Sequence, residues 1–143
     1  MFKAIFIALC TLLLSACGAD KLYLSLHTSN VINPDNQHRA LSLYLKVFQL
    51  KSLRDFKDQP LNALWMAKTN SYIVAIDTVV VQSNESQTVT LDLNPQTRFI
   101  GIVADFRQPD ETQRLIIPIK EGNFTTNQLS LLIQDNHVER IGS

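Results

Sequence analysis

The chain is poor in almost everything that would mark a specialised composition. It holds two cysteines, four glycines, five prolines and one tryptophan in 143 residues, and only 8% of it is aromatic. Glycine and proline at that level exclude collagen-like repeats and linker-rich designs. Neither sign of charge dominates, because 13 Lys and Arg face 13 Asp and Glu. Without a basic excess to neutralise phosphates, nucleic acid is excluded as a partner. Charged residues at 18% against hydrophobic ones at 45% exclude a disordered chain as well. No repeat or low-complexity stretch is present, and the length suits one domain.

A long apolar run is also missing. A spanning helix needs about 20 apolar residues, and the run here stretches only from Ala4 to Leu14 before Asp20 and Lys21 arrive. Preceded by Lys3 and followed by small residues, it has the layout of a secretory signal. The segment ends in Leu14-Ser15-Ala16-Cys17, which resembles the bacterial lipobox, whose cysteine receives lipid after cleavage. The resemblance implies a signal peptide at 1–16, a lipidated tether at 17–21 and a folded domain at 22–143. Removing 16 residues from 143 leaves 127, with 12 basic residues against 13 acidic ones. Cys10 departs with the signal and Cys17 is acylated, so the exported protein has no disulfide and no thiol nucleophile. Its stability must come from its core, which 127 residues can supply. Each buried CH₂ of an acyl chain contributes about 0.8 kcal/mol and one chain holds only marginally. The three chains typical of such a cysteine hold firmly. Gly18 in place of Asp after the cysteine resembles the enterobacterial pattern for transfer to the outer membrane.

Beyond the tether the hydrophobic pattern has period two. Leu22, Leu24 and Leu26 alternate with Tyr23, Ser25 and His27; Leu41, Leu43, Leu45 and Val47 alternate with Ser42, Tyr44, Lys46 and Phe48. Further sets are Tyr72/Val74/Ile76, Val89/Leu91/Leu93, Leu115/Ile117/Ile119 and Leu129/Leu131/Ile133. Each predicts a strand with one face on a core and one toward water. Phe99 to Ala104 is apolar on both faces, which predicts a central strand. Turn chemistry separates the runs at Asn33-Pro34-Asp35-Asn36, Ser83-Asn84-Glu85, Asn94-Pro95, Gln108-Pro109-Asp110 and Glu121-Gly122-Asn123. This spacing predicts a mainly β, mostly antiparallel two-sheet sandwich, with a barrel as the alternative. One helix interrupts it: Asp58 is the expected cap, Pro60 suits the first turn, and Leu61, Leu64 and Trp65 share a face that would cover the sandwich.

Catalytic chemistry has little to stand on. His27, His38 and His137 lack metal-ligand spacing, and no nucleophile elbow, P-loop or dinucleotide glycine pattern occurs. The carboxylates Asp77, Asp92, Asp105, Asp110, Glu111, Asp135 and Glu139 are scattered, with Asp105 and Arg107 read as a local ion pair or solvated rim. The triplets Asn84-Glu85-Ser86 and Asn123-Phe124-Thr125 read as turn residues. No metal or cofactor is expected. The segment between the first two strands, Asn30 to Ala40, is longer than a tight hairpin requires. It is rich in hydrogen-bonding side chains, with Val31 and Ile32 adding apolar surface, which suits recognition on a rigid scaffold.

In order along the chain, several elements resemble the TssJ (VasD/SciN-like) outer-membrane lipoproteins of the bacterial type VI secretion system. They are the lipobox at Cys17, Asn33-Pro34-Asp35 after the first strand, and Leu45 to Leu50, similar to the family's vRvYqL. Phe56 and the helix with Leu61 and Leu64 follow, then Thr97 to Arg107, similar to tryigVvAaFR. Departures are Gln113-Arg114 for Trp-Arg, Ser83-Asn84-Glu85 for a Pro-Gly turn, and Phe48 for Tyr. The resemblance implies a transthyretin-like sandwich with one short added helix and no enzymatic activity. It implies a lipid anchor at Cys17 on the periplasmic side of the outer membrane and binding to the periplasmic domain of the inner-membrane protein TssM. The family's partner contact maps onto Val31, Ile32, Asn33, Pro34, Asp35, Asn36, Gln37, His38 and Arg39. Two other classes compete. A periplasmic module for a small ligand or cell-wall glycan would need exposed aromatics for stacking, whereas Trp65 reads as core; a hydrolase lacks a nucleophile–base pair.

Overall fold

A computed structural model describes residues 20–54, 56–108, 114–119 and 128–141. The expected signal peptide and Cys17, the acidic pair Asp110 and Glu111, and the triplet at Asn123 lie outside them. Among the described residues the order is β1 (Lys21–Ile32), β2 (Leu43–Leu50), α1 (Leu61–Trp65), β3 (Ile73–Val81), β4 (Ser86–Asp92), β5 (Phe99–Ala104), β6 (Arg114–Pro118), β7 (Gln128–Asp135) and β8 (His137–Ile141). No helix among them is long and apolar enough to cross a membrane.

The strands form two four-stranded sheets, β4-β1-β7-β8 and β3-β2-β5-β6. Pairing is antiparallel except between β1 and β7. The period-two pattern explains the layering. Leu22, Leu24 and Leu26 of β1 and Leu129, Leu131 and Ile133 of β7 turn inward, against Leu43, Leu45 and Val47 of β2 and Ile100 and Ile102 of β5. Burial of two facing apolar surfaces drives this packing. The expected sets on β4 and β6 also join this core, through Val89 and Leu91 with Leu93 just past β4, and through Leu115 and Ile117.

Three expectations are corrected. Leu41 lies outside β2 and is 37% exposed, because pairing with β3 begins only at Leu43↔Val81. Phe48, expected on the water side, is fully buried in a second cluster with Leu50, Phe56, Leu64, Ile73 and Val103. That cluster fills the space between α1 and the outer face of the β3-β2-β5-β6 sheet. Tyr72 and Ile76 join it, while Val79 and Val81 carry the contribution of β3 to the inter-sheet core. A register shift between Gln49 and Leu50 accompanies this crossover. Finally, Asp58 does not cap α1. The N-cap is Pro60, in an extended conformation (ψ 147°) and with no side-chain cap bond, which leaves Asp58 two residues too early. The expected face does hold, since Leu61, Leu64 and Trp65 all pack into the second cluster.

β5 has both faces occupied, as its two-sided apolar sequence requires. Ile100, Ile102 and Ala104 serve the inter-sheet core, and Phe99 and Val103 the helix side. Between them Gly101 leaves room for the ring of Phe56, whose Cζ would lie 2.4 Å from an added Cβ. The Phe56 ring meets Phe48 edge-on at 5.2 Å.

Two long-range polar ties fix the loops. Gln49, 1% exposed, donates through Nε2 to the carbonyl of Asp92 at 2.8 Å. Its Oε1 accepts from the Asn94 N–H and the Thr97 hydroxyl at 2.8 and 2.9 Å. Arg114 on β6 donates to the carbonyls of Phe56, Lys57 and Gln59, holding the chain that leads into α1.

Candidate partner-binding loop

β1 enters the sandwich at one end and leaves it at the other. Its start is stitched by the Leu93 N–H to the Asp20 carbonyl at 2.8 Å. Its far end meets the start of β2, the exit of β5 and the turn between β7 and β8. The connection from β1 to β2 is therefore displayed at the end opposite to the entry of the chain. At about 3.3 Å per residue, the 12 residues of β1 separate these ends by about 40 Å.

Asn33 secures this loop. It is 5% exposed and takes a left-handed backbone with φ 47°, a conformation that Asn tolerates better than most residues. Its N–H donates to the Asp135 carbonyl at 2.7 Å. Its Nδ2 donates to the Ser42 carbonyl at 3.0 Å, and its Oδ1 accepts from the Arg107 N–H at 2.7 Å. One side chain thus ties β1 to the approach of β2 and the exit of β5.

Asp35 organises what lies beyond. Its Oδ1 accepts from the N–H groups of Gln37 and Arg39 at 2.8 and 2.9 Å, the geometry of an Asx turn. The Arg39 Nε donates to Oδ2 at 2.8 Å. The Asp35 N–H donates to the Arg39 carbonyl at 2.9 Å and the His38 N–H to the Asp35 carbonyl at 3.1 Å. Bonds to the charged carboxylate, led by the Arg39 N–H, hold Asp35 below the ordinary range of an aspartate. Arg107 braces the loop from outside, donating through Nη1 to the Asn36 Oδ1 at 3.1 Å.

The loop is shorter than its sequence suggests. Val31 and Ile32 belong to β1, and Ile32 is fully buried in the inter-sheet core rather than adding apolar surface. A register shift between Thr28 and Ile32 carries the strand that far, where Ile32 pairs with Asp135. Pro34 and Asp35 are half-buried, and Asn36, Gln37, His38 and Arg39 are exposed. The exposed residues sit on a frame that is closed by hydrogen bonds on both sides.

Elsewhere the chemistry is sparse. Among the described residues no group of three His, Cys, Asp or Glu side chains could hold a metal ion. His27 lies on the outer face with its Nδ1 3.2 Å from the Ser86 Oγ, and His137 faces Gln134 at 3.3 Å. Arg107 turns to Asn36 instead of Asp105, whose own N–H donates to the Tyr44 carbonyl at 3.0 Å. The ties made by Asn33, Gln49, Arg107 and Arg114 were not apparent from the sequence, because each spans tens of residues. The only signals were the turn-forming Asn-Pro-Asp and the Gln and Arg positions of the family-like motifs.

These features define a class: a mainly β, two-sheet sandwich with one short added helix, which displays a braced loop. The family described as "Type VI secretion lipoprotein, VasD, EvfM, TssJ" matches over residues 20–136, and the chain belongs to this family. Solved structures agree in fold. Pseudomonas aeruginosa TssJ1, described as a T6SS lipoprotein, is 20% identical with a TM-score of 0.71, covering 88% of this chain and 99% of that one. Serratia marcescens Lip, described as a membrane-bound component of the type VI secretion system, is 14% identical with a TM-score of 0.77, covering 86% and 98%. A chain in the structure described as "T6SS protein TssM C-terminal domain (869-1107) from EAEC" is 24% identical with a TM-score of 0.77, covering 87% and 99%. No curated protein matches the chain.

Proposed function

We propose that this lipoprotein is a non-catalytic tether of the type VI secretion membrane complex. Cys17 carries the lipid that holds it to the periplasmic face of the outer membrane, and the loop from Asn33 to Arg39 grips the periplasmic domain of TssM. Family membership supports the secretion role, and the described context of a similar chain, a structure of the TssM C-terminal domain, supports that partner. The observation that carries the site is the braced loop itself. Asn33 and Asp35 set its shape before any partner arrives, so binding need not supply the cost of ordering it. Its position opposite the chain entry directs it away from the bilayer that the anchor would occupy.

The exposed residues provide the test. In calorimetry against the TssM periplasmic domain, Gln37→Ala and Arg39→Ala together are expected to weaken affinity at least tenfold, the effect of about 1.4 kcal/mol. The melting temperature should stay close to the parent's, because exposed ion pairs such as Asp35–Arg39 add little to stability. Unchanged affinity would remove the loop from the interface.

A further inference from the structure

The helix does not cover the whole outer face of the β3-β2-β5-β6 sheet. Residues facing α1 lie in rows across the strands. In one row Ile76, Phe48 and Gly101 are neighbours, roofed by Phe56 and Leu64 of the second cluster. Toward the loop end come Thr78, Lys46 and Val103. Beyond them Val80 pairs with Tyr44, whose carbonyl receives the Asp105 N–H. Roofing stops short of this end, leaving Tyr44 47% exposed, Val80 46% and Met66 at the end of the helix 78%. Between helix and strand opens a groove of about 390 Å³, lined among others by Leu61, Trp65, Met66, Val103 and Asp105.

Its charged groups are held apart from one another. Lys46 is already engaged: its Nζ donates to the Trp65 carbonyl and sits 5.0 Å from the centre of the Trp65 ring. Arg107 is engaged with Asn36. Asp105 is exposed at the groove, and its carboxylate has no cationic partner among the described residues, whose ion pairs are Lys21–Asp92 and Asp35–Arg39. The groove thus offers an apolar floor, an adaptable Met rim and a carboxylate, that of Asp105, with no ion-pair partner among the described residues. Aromatic and Met side chains around such a depression are the composition of an interface centre.

The groove is also continuous with the loop. Asp105 and Phe106 line it, and the next residue, Arg107, braces Asn33 and Asn36. One residue step, about 3.8 Å, separates the groove from the loop frame. We infer that the polypeptide gripped by the loop also seats an apolar side chain in this groove, with a neighbouring Lys or Arg set against Asp105. This rests on the partner reading above and adds a second, chemically distinct contact to it.

The test uses the mature protein and the TssM periplasmic domain in calorimetry. Asp105→Lys and Met66→Glu, made separately, are expected to weaken binding about 10-fold each. The loss from Asp105→Lys should shrink as salt rises. Both side chains are exposed, so the melting temperatures should stay near the parent's and exclude misfolding as the cause. Parent-like affinity in both, while Gln37→Ala with Arg39→Ala still weakens binding, overturns the groove contact and leaves the loop reading intact. Parent protein that fails to bind TssM at all overturns both readings. Self-association in ultracentrifugation that Met66→Glu abolishes assigns the groove to a second copy and overturns the inference.

Discussion

At the scale of single residues, Asn33 has two tasks that its neighbours in sequence do not reveal. It lies in a turn-forming Asn-Pro-Asp stretch and reads as an exposed contact residue. It is buried instead, with its Oδ1 held by the Arg107 N–H from 74 positions away, so no local pattern could show it. Asn33→Ala removes a donor and an acceptor that bond across three segments, and places alanine at φ 47°. The expected cost is about 2–4 kcal/mol in urea unfolding. Asn33→Gly should recover the backbone part alone. Lost partner binding in Asn33 variants would accordingly reflect a collapsed frame as much as a lost contact. Asp35 behaves differently because it is exposed to solvent on one side. Its folded carboxyl titrates below the unfolded value, so the loop order it provides is present above about pH 3.9 and is lost as pH falls through the folded value. The amide resonances of Gln37 and Arg39, which donate to its Oδ1, should therefore titrate together with a midpoint below about 3.9. Independent midpoints for the two amides would contradict the Asx turn.

At the scale of elements, the strands were legible because alternation is a backbone property, set by side chains pointing to opposite faces. The second cluster was not. Phe48 occupies the polar phase of its strand, and only the arrival of α1 from beyond Phe56 makes that face interior. Register shifts after Thr28 and Gln49 add to the difficulty, since each moves a strand's faces without a composition signal. The family-like stretch from Thr97 to Arg107 owes its glycine to this packing. An added Cβ at Gly101 would stand 2.4 Å from the Phe56 Cζ and 2.7 Å from its Cε1. Gly101→Ala is expected to cost about 1–3 kcal/mol by overpacking, and Phe56→Ala about 3–5 kcal/mol by leaving a cavity. In the double variant the added methyl enters the vacated space. Its cost should fall below the sum of the two single costs in denaturant unfolding, which is the signature of contact. Additive costs would show that Phe56 does not rest on Gly101.

At the scale of the whole molecule, the proposed anchor and the proposed partner loop belong to opposite ends of β1. Chain entry at Asp20 and the loop after Ile32 stand about 40 Å apart, with the inter-sheet core between them. Cys17 lies three residues before Asp20, a reach of about 10 Å, so an anchor there holds the entry end close to the bilayer. The lipobox and the loop could each be read from sequence, but their opposition could not, because it depends on an odd passage of the chain through the sandwich. That opposition makes anchoring and partner binding separable. Groups this far apart with a rigid body between them influence each other weakly. Cys17→Ser should fold with a parent-like melting temperature and bind the isolated TssM domain within about twofold of the mature protein. It should nonetheless leave the membrane fraction and fail to support secretion, because binding in solution no longer fixes TssM to the outer membrane. A several-fold change in solution affinity would mean that the lipid end and the loop end are coupled, and secretion at the parental level would mean that no tether is needed.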